Sequence, residues 1–406
     1  MFLINSKIFT FIFMYVIIVM RWSMENRFQG LFQIVENNKD KYVDFLCDIC
    51  AFEARAYDKE TIDQMVDFIS EFAKKDSFKV TRKKMDKCGD FLIIDLNEGK
   101  QKACVFMAHM DTVHQKGAFG MPAVRREGGR IHAPGVIDCK GGIAVALLAM
   151  KSLYDNGFDK HVRLILTSDE EVSLELGGEE EVKFFEQSAL GFPYVINCET
   201  TVNDQVVVSR KGIITYQLDI NGVGGHSGAR YFTCKNAILE AAHKIVALHQ
   251  KSVVGGTTYS CNVINGGNVS NVIPDACTVI VDVRVVAMQD VEKAKAQVYE
   301  IANKKFVEGT SCSIKILNQR PPMEKNEQTQ KLFEKLNKVC LDNDLGKLTP
   351  IESGGGSDAA FTQLAGIPTI CGLGASGDFF HTVNEYVDID TIPLRAKILS
   401  AFCYYE

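Results

Sequence analysis

The sequence predicts an α/β protein centred on a parallel or mostly parallel sheet, with an α+β unit inserted into it. Between residues 78 and 198, short strand-like apolar runs surround a helical segment, the order of a sheet covered on both faces. From residue 212 the order becomes strand, helix, strand, strand, helix, strand, that of a ferredoxin-like β-α-β-β-α-β unit. The α/β pattern resumes after Arg320-Pro321-Pro322, so the unit is inserted and not appended. At 406 residues the chain is long enough for two substantial cores.

Taken in order, residues 27–75 predict two helices. Asp58 or Thr61 starts the second, whose core stripe is Ile62, Met65, Val66, Ile69 and Phe72. Strands are predicted over 78–82, 91–95 and 103–108. Gly141-Gly142 open an apolar helix from Ile143 to Leu153, stopped at Asn156-Gly157, and strands follow over 161–167 and 193–198. In the inserted unit the strands are 213–220, 258–265, 277–286 and 312–317, with helices over 235–250 and 289–306. The last segment predicts a helix near 328–343, a strand at 368–371 and a closing helix from about 391, with Gly354-Gly355-Gly356-Ser357-Asp358 between the first two.

Apolar and charged fractions of 46% and 24% are those of a globular protein, and a net charge of −6 without a Lys/Arg run gives no nucleic-acid footprint. Thirteen cysteines, odd in number and scattered, argue for a reducing compartment, the cytoplasm, over a disulfide framework. Cys47-x-x-Cys50 lies in a helical pattern with no second pair nearby and reads as two helix-face cysteines.

Residues 8–20 are uniformly apolar between Lys7 and Arg21. That run is short for a membrane span, which needs roughly 17–25 residues, yet suits a signal-peptide core. No small-x-small cleavage site follows, and Met24 opens an ordinary polar sequence. The expectation is therefore an upstream extension over 1–23 with synthesis starting at Met24, a membrane anchor being the second reading. The remaining chain divides into a first α/β part, 24–211, an inserted unit, 212–319, and a second α/β part, 320–406.

The chemistry centres on Val105-Phe-Met-Ala-His109-Met-Asp111-Thr112. Strand side chains alternate, so His109 and Asp111 leave the strand end on one side. That suits a metal-binding imidazole whose second nitrogen is held by a carboxylate. Downstream, Asp138, Glu170-Glu171, Glu199 and His381 each sit beside a predicted strand end or turn, where ligand groups gather in such sheets. Two divalent metals about 3.5–4 Å apart polarise a carbonyl and activate water. Nitrogen and oxygen ligands suit zinc, and also cobalt or manganese. Adjacent Glu170 and Glu171 project differently, so one can bind metal while the other takes a proton from water.

Nine motifs in this order, H-M-D, G-V-I-D-C-K-G-G, S-D-E-E-V, N-C-E-T, G-G-H-S-G, N-V-I-P-D, D-V-R, G-G-G-S-D and H-T-V-N-E, resemble the two-zinc exopeptidase and deacylase family. That family includes carboxypeptidase G, aminoacylase, acetylornithine deacetylase, succinyl-diaminopimelate desuccinylase and peptidase T. The resemblance runs from about residue 90 to the C-terminus. It implies a zinc-hydrolase catalytic domain carrying a ferredoxin-like lid and dimerisation domain.

By position, the resemblance implies that Asp138 bridges two zinc ions, His109 and Glu199 completing one and Glu171 and His381 the other. Asp111 would orient His109, Glu170 would be the general base, and the Asp138–Cys139 peptide would be cis. His226 resembles an oxyanion-contacting histidine supplied by the partner of a homodimer formed through residues 212–319. Asn271 and Arg284 match lid positions that hold a substrate carboxylate, and Gly356 matches a backbone contact. The implied reaction is metal-assisted hydrolysis of an amide in a small peptide with a free carboxylate, or alternatively in an N-acyl amino acid. A non-catalytic, membrane-tethered binding protein would be expected to have lost Glu170 or a ligand, and none is lost.

Plainer readings stand beside these. Asp111 caps a turn, His226 is a turn residue, and Arg284 pairs with Asp282. His114 reads as a loop residue, Glu175 and Glu179 to Glu181 as a solvated helix start, and Arg210-Lys211 as the domain junction. After Asp169-Glu170-Glu171 the family continues with glycine and small residues, whereas this chain has Val-Ser-Leu-Glu-Leu, which leaves the pocket wall and its specificity open.

Overall fold

The computed structural model describes residues 28–405; the apolar run at 8–20 and the start at Met24 lie outside them. A first helix covers 28–50 and a second Lys59–Lys75. Asp58 caps the second by accepting from the Thr61 backbone nitrogen at 3.1 Å. Ile62, Met65, Val66 and Ile69 are buried as the periodicity requires.

Eight strands form the central sheet in the order Lys79–Lys83, Phe91–Leu96, His161–Thr167, Lys102–His109, Val195–Asn197, Thr369–Cys371, Gln205–Arg210, Thr349–Ser353. Its centre is parallel: Lys102–His109 runs alongside both His161–Thr167 and Val195–Asn197, and Thr369–Cys371 follows Val195–Asn197 in the same sense. Antiparallel pairing enters on either side of that centre, so the sheet is mostly but not wholly parallel. Lys79–Lys83 and Phe91–Leu96 are joined by a connection too short for a crossover and pair antiparallel. Gln205–Arg210 meets Thr369–Cys371 antiparallel and Thr349–Ser353 parallel. Neither Gln205–Arg210 nor Thr349–Ser353 was foreseen. The first hides in the junction sequence, and the second carries Pro350, which an edge strand tolerates.

Both faces of the sheet are covered. Phe106 and Ala108 point into the core shared with helices Gly141–Asp155 and Thr391–Tyr404, while Val105 and Met107 point to Phe184, Phe185 and Phe361 on the opposite face. Gly142 fixes how closely the first of these helices approaches the sheet. A Cβ there would lie 1.9 Å from the Cys198 carbonyl oxygen, so only glycine lets the helix start sit against the strand that leads into Glu199.

The second sheet has the order Thr258–Gly266, Ala276–Val285, Gly212–Asn221, Ser311–Arg320, antiparallel throughout. Helices Ala237–His249 and Met288–Asn303 share its core with Ile214, Tyr216, Leu218, Val281 and Val298. This is the ferredoxin-like arrangement expected from the element order. A bulge between Ile316 and Asn318 carries its last strand to Arg320, past the predicted end at 317.

A small sheet that was not foreseen joins Arg125–Glu127, Arg130–His132, Tyr386–Asp388 and Gly377–Asp378. Its Gly128-Gly129 turn, with φ of 57° and 82°, was a readable hairpin signal. All thirteen cysteines are free. Cys47 and Cys50 lie in the first helix, where Cys47 Sγ accepts from Arg126 Nε at 3.1 Å. Among the described residues, no helix is long and apolar enough to cross a membrane.

Candidate active site

Strand Lys102–His109 delivers His109 buried, its backbone N–H donating to Cys139 Sγ at 3.1 Å. The ring Nδ1 lies 3.1 Å from the Asp111 carbonyl oxygen and 3.3 Å from Asp111 Oδ1. Those acceptors place the ring proton on Nδ1 and leave Nε2 free to coordinate. The hydrogen bond to the ring is thus made by the Asp111 main chain, with the carboxylate oxygen close beside it. Asp111 Oδ2 accepts from the Glu171 backbone nitrogen at 3.0 Å, tying the two turns together.

Asp138 lies at the centre, in the turn Val136–Lys140 ahead of helix Gly141–Asp155. Its peptide bond to Cys139 is cis. One carboxylate oxygen faces His109 Nε2 at 3.3 Å and the other faces His381 Nε2 at 3.2 Å. Each histidine also has a second acid. Glu199 Oε1, just past strand Val195–Asn197, lies 3.5 Å from His109, and Glu171 Oε2, in the turn Glu170–Val172, lies 3.2 Å from His381.

Burial, and then the charge of Asp138, push the Glu171 and Glu199 carboxyls up to about 8 and about 7. Asp138 is itself buried, but hydrogen bonds from His109 and His381 outweigh desolvation and hold it well below the usual carboxylate range. Hydrogen bonds to Asp138 and Glu171 raise His381 to about 11. Donor atoms of His109, Asp138 and Glu171 fall within 4.8 Å of one another, as do those of His109, Cys139 and Glu199. Glu171 Oε1 is buried with no hydrogen-bond partner among the described residues. Crowded carboxylates, imidazole nitrogens and an orphaned oxygen make a donor set that fits divalent cations.

Glu170 lies beside this cluster. Arg320 Nη1 donates to its Oε1, and Arg320 Nη2 donates to its carbonyl oxygen at 2.9 Å. Glu385 supports the cluster from beneath, accepting from the backbone nitrogens of Gly135, Ile137 and Asp138 at 3.2, 3.0 and 3.2 Å. Its Oε2 also lies 2.7 Å from His114 Nε2, so His114, expected as a loop residue, is a buried partner of that support. Glu181 likewise departs from the solvated helix start. It is fully buried beside Asp169, and burial pushes its carboxyl well up. Sequence reasoning missed Arg320 and Glu385. The only local signals were an arginine closing a strand before Pro321-Pro322 and the acid that ends H-T-V-N-E.

A cavity of about 310 Å³ opens on Asp138, Glu170, Glu171, Glu199 and His381. Arg210 reaches its wall, donating to the Gly356 carbonyl oxygen at 3.1 Å, so the junction residue is also a cavity residue. Gly356 lines the same cavity. Arg284 spends its guanidinium on Asp282 at 2.8 and 2.9 Å, the plainer reading, while Nη1 reaches the Gly354 carbonyl oxygen at 3.3 Å. His226 and Asn271 are neighbours on the second sheet's side, where the Ser227 nitrogen donates to the Asn271 carbonyl oxygen at 2.9 Å. Both are exposed, and neither lines the cavity.

His109, Glu171 and Glu199 at the carboxyl ends of parallel strands, met there by Asp138 and His381 and set beside a ferredoxin-like sheet, define a metal-dependent hydrolase. The chain belongs to peptidase family M20/M25/M40, whose model matches residues 105–405. It is 29% identical over 381 residues to carboxypeptidase G2 of Pseudomonas sp. (strain RS-16), covering 91% of this chain and 90% of that protein. Against succinyl-diaminopimelate desuccinylase of Rickettsia akari it is 25% identical, covering 86% and 96%. An M20 family metallo-carboxypeptidase from Sulfolobus solfataricus shares the fold with a TM-score of 0.74 at 18% identity, covering 89% of this chain and 98% of that one.

Proposed function

We propose that this enzyme is an exopeptidase that hydrolyses an amide bond in a small peptide bearing a free carboxylate. The observation that carries this is Asp138 set between two histidines, each with its own second acid, on the cavity that Glu170 also lines. His109 and Glu199 would hold one divalent ion, Glu171 and His381 a second, with Asp138 between them. Zinc fits this donor set, with cobalt or manganese as substitutes. When bound, the ions would polarise the amide carbonyl and acidify a water.

The protein's own groups do the rest. Glu170, with Oε1 engaged by Arg320, takes the water's proton on Oε2 and passes it to the leaving nitrogen. Asp111 keeps the His109 ring in one tautomer. Arg284 and Asn271 would grip the substrate carboxylate, Arg284 by exchanging Asp282 for the substrate, with Gly356 as a backbone contact. His226 would stabilise the oxyanion. His226 and Asn271 are exposed on the 212–319 unit, which also exposes the apolar residues Val263, Ile264 and Val269. That supports a homodimer through this unit, in which they serve the partner copy's cavity. The thirteen free cysteines fit a cytoplasmic enzyme.

The cavity wall of Val202, Val207, Ile351 and Phe380 favours a second reading, an N-acyl-amino-acid deacylase whose acyl group packs there. A hydrolysis screen tests both. Full-length and Met24-started protein, loaded with zinc, cobalt or manganese, is offered dipeptides, tripeptides and N-acyl amino acids with free or amidated C-termini. The expected result is metal-dependent cleavage of the peptides that disappears on amidation. Cleavage confined to N-acyl substrates selects the deacylase, and cleavage indifferent to amidation rules out the carboxylate grip.

A further inference from the structure

Arg320 closes the last strand of the second sheet, at the point where the chain returns to the central sheet. Arg210 and Met323 exchange backbone hydrogen bonds at 2.8 and 3.0 Å beside it. Its side chain is 3% exposed and turns toward the central sheet. There the guanidinium holds Glu170 twice, by its side-chain Oε1 and by its own carbonyl oxygen. Nη2 also lies 3.2 Å from Asp358 Oδ1, and Asp358 Oδ2 accepts from Thr167 Oγ1 at 3.2 Å. Thr167 ends the strand that leads into Glu170, so strand end, Asp358, Arg320 and Glu170 form a closed ring of contacts. Gly356 leaves room for the arginine stem, since a Cβ there would lie 3.0 Å from Arg320 Cδ.

We propose that Arg320 is the positioning residue for Glu170, fixing through Oε1 and the carbonyl oxygen which carboxylate oxygen is presented to the attacking water. A buried guanidinium is costly to place unless its partners are charged and well oriented, and one acid alone would have neutralised it. The second grip, on the Glu170 carbonyl, instead fixes the residue's main chain and side chain together, which a planar fork of donors can do and an ammonium cannot. Arg320 Nε has no hydrogen-bond partner among the described residues. The orientation of the guanidinium is thus set by its two hydrogen bonds to Glu170, with Asp358 Oδ1 beside it at 3.2 Å, and not by satisfying every donor. Among the described residues, Glu170 Oε2 accepts no hydrogen bond, which leaves it for the proton.

The inference rests on Glu170 being the base, so the test includes Glu170→Ala. Full-length wild type, Glu170→Ala, Arg320→Ala and Arg320→Lys are compared for metal content, thermal unfolding, kcat and KM on the substrate the wild type cleaves. Misplacing a catalytic group by an ångström costs on the order of 10²-fold in rate. Both Arg320 variants should keep their metals and KM but lose kcat on that scale. Guanidinium ion should restore part of kcat to Arg320→Ala and none to Glu170→Ala. If Arg320→Ala does not fold, Arg320→Lys, which keeps the charge and most of the stem, decides alone. Wild-type kcat in a folded Arg320 variant, or a loss confined to KM, overturns the positioning role while an inert Glu170→Ala leaves the base reading intact. An active Glu170→Ala overturns both.

Discussion

The carboxylate of Glu385 holds Asp138 by its backbone nitrogen, at 3.2 Å, across 247 residues of chain. The same oxygen, Oε1, accepts from Ile137, while Oε2 accepts from Gly135 and faces His114. The central acid of the site is therefore placed through its main chain by a second, fully buried acid that belongs to the His381 segment.

Glu385→Ala strips acceptors from three buried N–H groups and from His114. Each buried donor left unsatisfied costs about 1–3 kcal/mol, so a loss of about 3 kcal/mol or more is expected by denaturant unfolding. Zinc affinity should weaken with it. Glu385→Gln, which keeps one acceptor oxygen, should lose less of both.

Gly142→Ala should be among the most damaging single-methyl changes in the chain, because the new Cβ would meet the Cys198 carbonyl oxygen at 1.9 Å. Overpacking of this kind costs about 3 kcal/mol when backbone has to move. Gly157→Ala tests a different effect, positive-φ strain without a clash, since nothing lies within 4 Å of the Cβ it would add. A Gly142→Ala melting temperature equal to that of the wild type would show that the helix start is free to retreat.

Asp95 supplies a pH prediction away from the site. It is buried and accepts from Arg163 Nε at 2.8 Å, with His161 Nε2 at 2.7 Å. Burial would raise its carboxyl, but hydrogen bonds from His161 and Arg163 hold it below the usual carboxylate value. A depressed carboxyl stabilises the fold fully above its unfolded value of about 3.9, and that contribution is lost as pH falls through the lower folded value. Asp95→Asn should therefore melt below the wild type at pH 7, with the gap narrowing toward pH 3.

Glu170→Ala should bind its metals as the wild type does while turnover falls on the order of 10²–10⁴-fold, the range of general acid–base catalysis. Metal analysis and initial rates on one preparation check this, and appreciable remaining activity removes Glu170 from the role of base.

The residues that converge on Asp138 were legible because their signal is local. His109, Glu171 and Glu199 each follow an apolar run, and strand ends on one edge of a sheet meet in space. The ferredoxin-like unit was legible because its strands alternate and its helices are amphipathic. Arg320, Glu385 and His114 were not, since contacts spanning 150 to 271 residues make their roles and nothing beside them in sequence marks the partner. Glu181 was misread for a related reason: an acid in the first turn of a helix is usually solvated, and only packing against Asp169 takes it inside. The strands around Arg125–His132 are three residues each, too short for alternation to register.

The central claim is that Asp138 lies between two metal ions. Anomalous diffraction at the zinc edge, on crystals of the zinc-loaded full chain, tests it directly. The account predicts two peaks, one beside His109 and Glu199 and the other beside Glu171 and His381, with Asp138 touching both. A single peak, or zinc held away from Asp138, would contradict it.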